Sequence, residues 1–196
     1  MNQEHKKTRQ LAGTALFTAL VVILQLLGSF IRFGPFSISL VALPIVVGAS
    51  VYGIGCGAWL GFVFGAAVLL SGDAAPFLAV NPLGTIVTVL GKGALCGAAA
   101  GGVYALLSGK SGTVGAITAA IVCPVVNTGV FLLGCKVFFM PLLAEWARNF
   151  GFGDNVTRYM ILGLVGGNFL WELGINVLLC PVILRLIRYG RREKKT

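Results

Sequence analysis

Charge is what this sequence has least of. Asp, Glu, Lys and Arg together make up 11% of its 196 residues, and only 6 of these are acidic. A water-solvated domain draws about a quarter of its residues from that set, so there is too little charge to coat a globule, and a soluble domain is excluded. Histidine occurs once, at His5 in a polar N-terminal tail, which excludes histidine-based intramembrane catalysis and a histidine metal cluster. Cys56, Cys96, Cys123, Cys135 and Cys180 lie within apolar runs without CxxC spacing, so they read as small packing residues rather than as a disulfide framework or a zinc site. Gly109-Lys110-Ser111 ends like a phosphate-binding loop, but Tyr104 fills a position that motif reserves for glycine, and no strand precedes it. With no carboxylates paired at metal-binding spacing and no nucleophile-base set, the chain reads as neither an enzyme nor a cofactor binder. Work against a gradient then needs another subunit or an ion gradient.

Apolar sequence is what fills the chain. Hydrophobic residues account for 57%, the mean hydropathy is +0.94, and glycine occurs 28 times, which is roughly twice its usual share of ~7%. Without a Gly-X-Y period, that excess points to close packing between membrane helices. Leu11 to Ile31 is long enough to span and too long for the apolar core of a cleaved signal; Arg32 with Gly34-Pro35 breaks it. Residues 36–70 carry no charge, and as one helix they would extend roughly 52 Å against a hydrocarbon core of about 30 Å. They divide into two spans, with the break at the glycine-dense Tyr52 to Gly57. Ser71 to Leu83 holds Gly72, Asp73, Pro76 and Pro82 and reads as a long connecting loop. A fourth span follows from Gly84 to Leu107, the polar turn Ser108 to Gly112, and a fifth span from Thr113 to Phe139. Pro141 to Thr157 mixes Glu145, Arg148 and Asp154 with Leu142, Leu143, Trp146 and Phe150, as suits an interfacial helix. A sixth span runs from Arg158 to Ile187. The expected fold class is an all-α membrane protein, a bundle of six transmembrane helices in one domain over 11–187, with basic tails at 1–10 and 188–196.

The position of the charges orients this bundle. Lys6, Lys7, Arg9, Lys110, Arg185, Arg188, Arg191, Arg192, Lys194 and Lys195 fall on the side of the termini, whereas the opposite connections carry Arg32, Arg148 and Arg158. The positive-inside rule then puts both termini in the cytoplasm and the two long connections outside. Basic tails flanking apolar spans suit anionic lipid headgroups, and without interleaved exposed aromatics they do not suit nucleic acid.

Polar residues inside spans are costly and therefore candidates for function. Lys92 lies in the outer part of the fourth span and Asn127 in the outer half of the fifth. Asn168, Glu172 and Asn176 recur at i, i+4 and i+8 on one face of the sixth, with Trp171 beside them. Asn81, at the end of the loop after the third span, completes the substrate-binding candidates Lys92, Asn127, Asn168, Trp171, Glu172 and Asn81. The plainer alternative is that Lys92 and Glu172 neutralise each other while the asparagines tie helices together. Gly53, Gly57, Gly61 and Gly65, and again Gly93, Gly97 and Gly101, recur every four residues and read as helix-packing ridges. Ala15 and Ala19 form a shorter small-residue patch, either internal packing or a contact with a partner subunit.

In combination, the size, the six spans with both ends inside, Ala15-x-x-x-Ala19 after a basic tail, Ser39 to Ile45, the Gly-rich third span and the Pro/Gly loop after it resemble one family. It is that of the substrate-binding S components of energy-coupling factor (ECF) vitamin transporters. The resemblance implies a multi-pass subunit of the bacterial plasma membrane that captures a water-soluble vitamin from outside, among the last three helices and the loops after the first and third spans. It also implies that Ala15 and Ala19 contact a transmembrane coupling subunit, that two ATPases supply the energy, and that the loaded subunit topples in the bilayer to release its cargo inside. Asn127 and Asn168 fall where riboflavin-binding relatives place asparagines, but Trp171 and Glu172 stand where such a relative would have lysine. A buried Lys92 suits an acid, so the expected order is a pantothenate-like vitamin first and riboflavin or folate next. A self-sufficient secondary transporter or channel is the alternative, and the inverted repeat common in such proteins is not evident between 11–107 and 113–187.

Overall fold

The computed structural model describes the backbone of residues 3–30, 32–33, 36–37 and 40–193, and the side chains of these except at 3–6, 32–33, 36–37, 165, 167–168, 171 and 191–193. The expected break at Gly34-Pro35 and the tail lysines Lys194 and Lys195 lie outside the described residues. Among the described residues, the regular structure is helical apart from a minimal antiparallel hairpin, β1 (Arg32–Phe33) paired with β2 (Phe36–Ser37). Its helices are α1 (Gln3–Ser29), α2 (Ala42–Tyr52), α3 (Ile54–Leu70), α4 (Ala75–Val80), α5 (Pro82–Ser108), α6 (Gly112–Phe138), α7 (Met140–Asn149) and α8 (Val156–Arg158). A π-helix (Tyr159–Gly166), α9 (Gly167–Leu178) and α10 (Cys180–Glu193) follow.

Local chemistry sets these boundaries. Gly53 separates α2 from α3 with φ +99°, a left-handed conformation open to glycine, while its N–H donates to Ala49 O. Asn81 caps α5, its side-chain oxygen accepting from the Gly84 N–H at 2.9 Å, and Pro82 opens the helix at a position whose N–H needs no partner. Ser111 caps α6 through Val114 N–H. Pro181 cannot extend the ladder from α9, and the axis bends by 56° between 172–178 and 180–190.

Among the described residues three helices, α1 from Lys7, α5 and α6, are long and apolar enough to cross a membrane, and there are up to four if the bent pair of α9 (from Glu172) and α10 is counted as one span. Several sequence expectations need correction here. The second span, expected to begin near Phe36, is α-helical only from Ala42; at 11 residues it extends about 16 Å, and its apolar surface is buried on nearly all sides rather than turned to lipid. The third, α3, has 17 residues. The connection from Ser71 to Leu83 contains α4 rather than loop alone. The sixth span is not one straight helix, because it starts as a π-helix and bends before Pro181. The expected basic tails at 1–10 and 188–196 are not overturned: their described residues are helical, in α1 over 3–10 and in α10 to Glu193.

The glycine ridges fit face to face. A Cβ on Gly57 would strike Gly97 O, one on Gly61 would strike Gly93 O, and one on Gly65 would stand 2.6 Å from Val89 O. The partners descend as the ridge ascends, so α3 and α5 are antiparallel and touch backbone to backbone. At one end of the bundle, Gln10 Nε2 donates to Tyr52 O at 3.5 Å, Gly190 packs on Val51, and Arg188 Nη2 donates to Thr113 Oγ1 at 3.3 Å. The start of α1 and the ends of α2 and α10 therefore gather beside the start of α6. At the other end, Gln25 of α1 reaches Asp73, and Phe77 of α4 packs edge-on against Phe139 and Trp146.

Candidate functional site

Two apolar cores divide the bundle, and most of the polar candidates lie where they meet. The larger core takes in Val89 and Cys96 of α5, Ala116 to Cys123 of α6, and Cys180, Ile183 and Ile187 of α10. The smaller gathers Phe77, Cys135, Phe139, Leu143, Ala147, Tyr159 and Leu164. Along α6, Asn127 falls between Cys123 of the first and Cys135 of the second. Along the last segment, Glu172 and Asn176 fall between Leu164 and Cys180.

Lys92 extends from α5 into this layer, its Nζ 5.1 Å from the Phe131 ring centre and 5.7 Å from that of Phe64. Cation–π attraction to two rings offsets part of the cost of desolvating an ammonium group. Glu172 lies on the facing segment of the same layer, and no ion pair within 4 Å joins Lys92 to Glu172 or Asp73 among the described residues. Asn127 is 9% exposed and its Oδ1 is buried without a hydrogen-bond partner among the described residues; Asn176 is 3% exposed and its Nδ2 is likewise unpartnered among them. One buried acceptor, one buried donor and a cation thus line a single layer. Leaving such groups unmatched costs about 1–3 kcal/mol each, whereas a ligand that presents complementary groups recovers it.

The sequence-derived candidates divide accordingly. Lys92, Asn127 and Glu172 occupy the layer. The helical backbone of α9 puts Asn168, Glu172 and Asn176 on one face, but the side chains of Asn168 and Trp171 lie outside the described ones. Asn81 is occupied as the α5 cap. Thr88, one turn before Lys92 on the same face of α5, was missed by sequence reasoning; it is 5% exposed, with Oγ1 buried and unpartnered. Gln25 was missed as well. It is 2% exposed in α1, its Nε2 donates to Asp73 Oδ2 at 2.9 Å, and Ser71 Oγ donates to the same oxygen at 3.1 Å. An amide in an otherwise apolar span is itself the signal that would have found it.

Ala15 and Ala19 stand apart from this layer, exposed on α1. Beside them the half-exposed Trp59 of α3 donates through Nε1 to Thr18 Oγ1 at 3.1 Å, tying α3 to α1 behind the alanine face.

No curated protein matches the chain. Residues 9–184 match the family model of the ECF transporter substrate-specific component, a match that covers both cores except Ile187, the polar layer and the alanine face, and the chain belongs to that family.

Proposed function

We propose that this subunit captures a water-soluble vitamin or related micronutrient from outside the cell and delivers it to an ATP-driven partner module. A pantothenate-like vitamin is the first choice, with riboflavin or folate next. The observation that carries the reading is Lys92, held between Phe64 and Phe131 without an ion pair among the described residues, in a layer where Asn127 has an acceptor with no partner among them. An acid docks on the ammonium while its amide or hydroxyl groups meet the asparagines, since an amide side chain donates and accepts at once. Glu172 offsets the charge of Lys92 at that depth. Asn168, on the face of Glu172 and Asn176, and Trp171 beside it complete the binding set, with Asn81 at its outer margin. In this reading six spans leave both termini in the cytoplasm of a bacterial plasma membrane. Ala15 and Ala19 meet the coupling subunit, and two ATPases supply the energy.

The test is direct. Purified chain alone, titrated with pantothenate, riboflavin and folate in detergent, binds one of them without ATP, and vesicles containing only this chain do not accumulate it. Accumulation by the chain alone would establish a self-sufficient transporter and overturn the proposal.

A further inference from the structure

Helix α10 carries three distinct stripes. At about 100° per residue, Ile183, Ile187 and Gly190 share one side; both isoleucines are buried, at 0% and 3% exposure, and Gly190 packs on Val51 of α2. Arg185, Arg188 and Arg192 share a second, with Arg191 at its border, and Arg188 is steadied by its hydrogen bond to Thr113 Oγ1. Val182, Leu186 and Tyr189 share a third and remain exposed, at 46%, 43% and 71%. The 56° bend before Pro181 swings this helix away from α9, at the end of the bundle where the α5–α6 turn presents exposed Lys110.

We propose that α10 is a binding surface for anionic phospholipid, with the arginine stripe on the headgroup phosphates and the Val182–Leu186–Tyr189 stripe against the acyl chains. An apolar stripe directly beside a basic one is the arrangement of a helix lying at a membrane interface. The packed stripe of Ile183, Ile187 and Gly190 fixes the other two against the bundle, so the arginines are presented at a set depth. A protein partner would be served by the charge but gives no reason for the apolar stripe next to it. The assignment is independent of which micronutrient the subunit carries.

Native mass spectrometry of the delipidated full chain in detergent, titrated with phosphatidylglycerol or phosphatidylcholine, tests the proposal. Phosphatidylglycerol binds preferentially, and Arg185→Gln and Arg188→Gln each weaken it about fivefold, the factor equivalent to about 1 kcal/mol per basic residue. Arg185→Lys with Arg188→Lys retains the preference, whereas Lys6→Gln with Lys7→Gln in the other tail leaves it unchanged. Equal binding of the two lipids overturns the proposal. So does a pair of glutamine variants that bind phosphatidylglycerol normally yet fail to assemble with the coupling subunit, which would make the face a protein-docking surface. Vitamin binding by the same variants, measured in parallel, separates failure of this inference from failure of the functional reading.

Discussion

A charge or amide in this protein matters according to whether water can reach it. Arg148 and Asp154 form an ion pair at 2.8 Å, but their side chains are 68% and 86% exposed, so solvent screens the pair; Asp154→Ala is expected to change unfolding stability in detergent by less than about 1 kcal/mol. Asn127 is the opposite case. Removing its amide from a dry layer takes away a partner worth roughly 1–3 kcal/mol, so Asn127→Ala should weaken ligand binding about five- to a hundredfold, as read by titration calorimetry. If Asn127→Ala binds normally but melts early, the amide is a helix tie and not a ligand contact. Lys92→Gln sorts the ligand class on the same instrument: an acid loses most of its affinity and a neutral ligand little.

At the level of elements, the contact between α3 and α5 depends on side chains that are missing. Gly61→Ala would drive a Cβ into the backbone carbonyl of Gly93; unlike a flexible side chain, that carbonyl cannot turn aside, so the helices must separate. Overpacking of this kind costs about 1–3 kcal/mol, visible as a lowered melting temperature in detergent. Gly91→Ala is the control. It lies in the same helix with nothing within 4 Å of a new Cβ, and loss of glycine's extra chain entropy should leave stability equal or raise it by about 0.5–1 kcal/mol. Asn81 poses a related choice between cap and ligand group. Asn81→Ser keeps a capping oxygen for Gly84 N–H; if it preserves vitamin affinity, Asn81 serves the helix.

Across the whole molecule, the polar layer and the alanine face occupy different surfaces, and that separation is testable. Ala15→Trp or Ala19→Trp places an indole on an exposed face of α1 that approaches neither Lys92 nor Asn127. The expected result is loss of vitamin uptake by cells expressing the complete transporter, with the affinity of the isolated subunit unchanged. Equal loss of affinity would show that α1 and the binding layer are coupled through the bundle. The Trp59–Thr18 hydrogen bond beside the alanines and the Gln25–Asp73 hydrogen bond further along α1 are among the described contacts through which such coupling would pass.

The sequence alone was enough to assign a membrane protein, because 11% charge cannot solvate a globule of this size. It also located the break at Gly53, where dense glycine permits a left-handed residue, and the glycine ridges, whose four-residue period puts them on one helix face. Lys92, Asn127 and Glu172 were legible for the same reason: each interrupts an apolar run. That residues from three helices converge is an expectation the sequence also offers, but their arrangement depends on how the glycine ridges set α3 against α5 and on how the final segment folds back on α6. The short, buried α2 and the bend before Pro181 also belong to the tertiary structure. Hydropathy counts apolar residues without distinguishing those turned to lipid from those turned to protein, and only packing decides between the two.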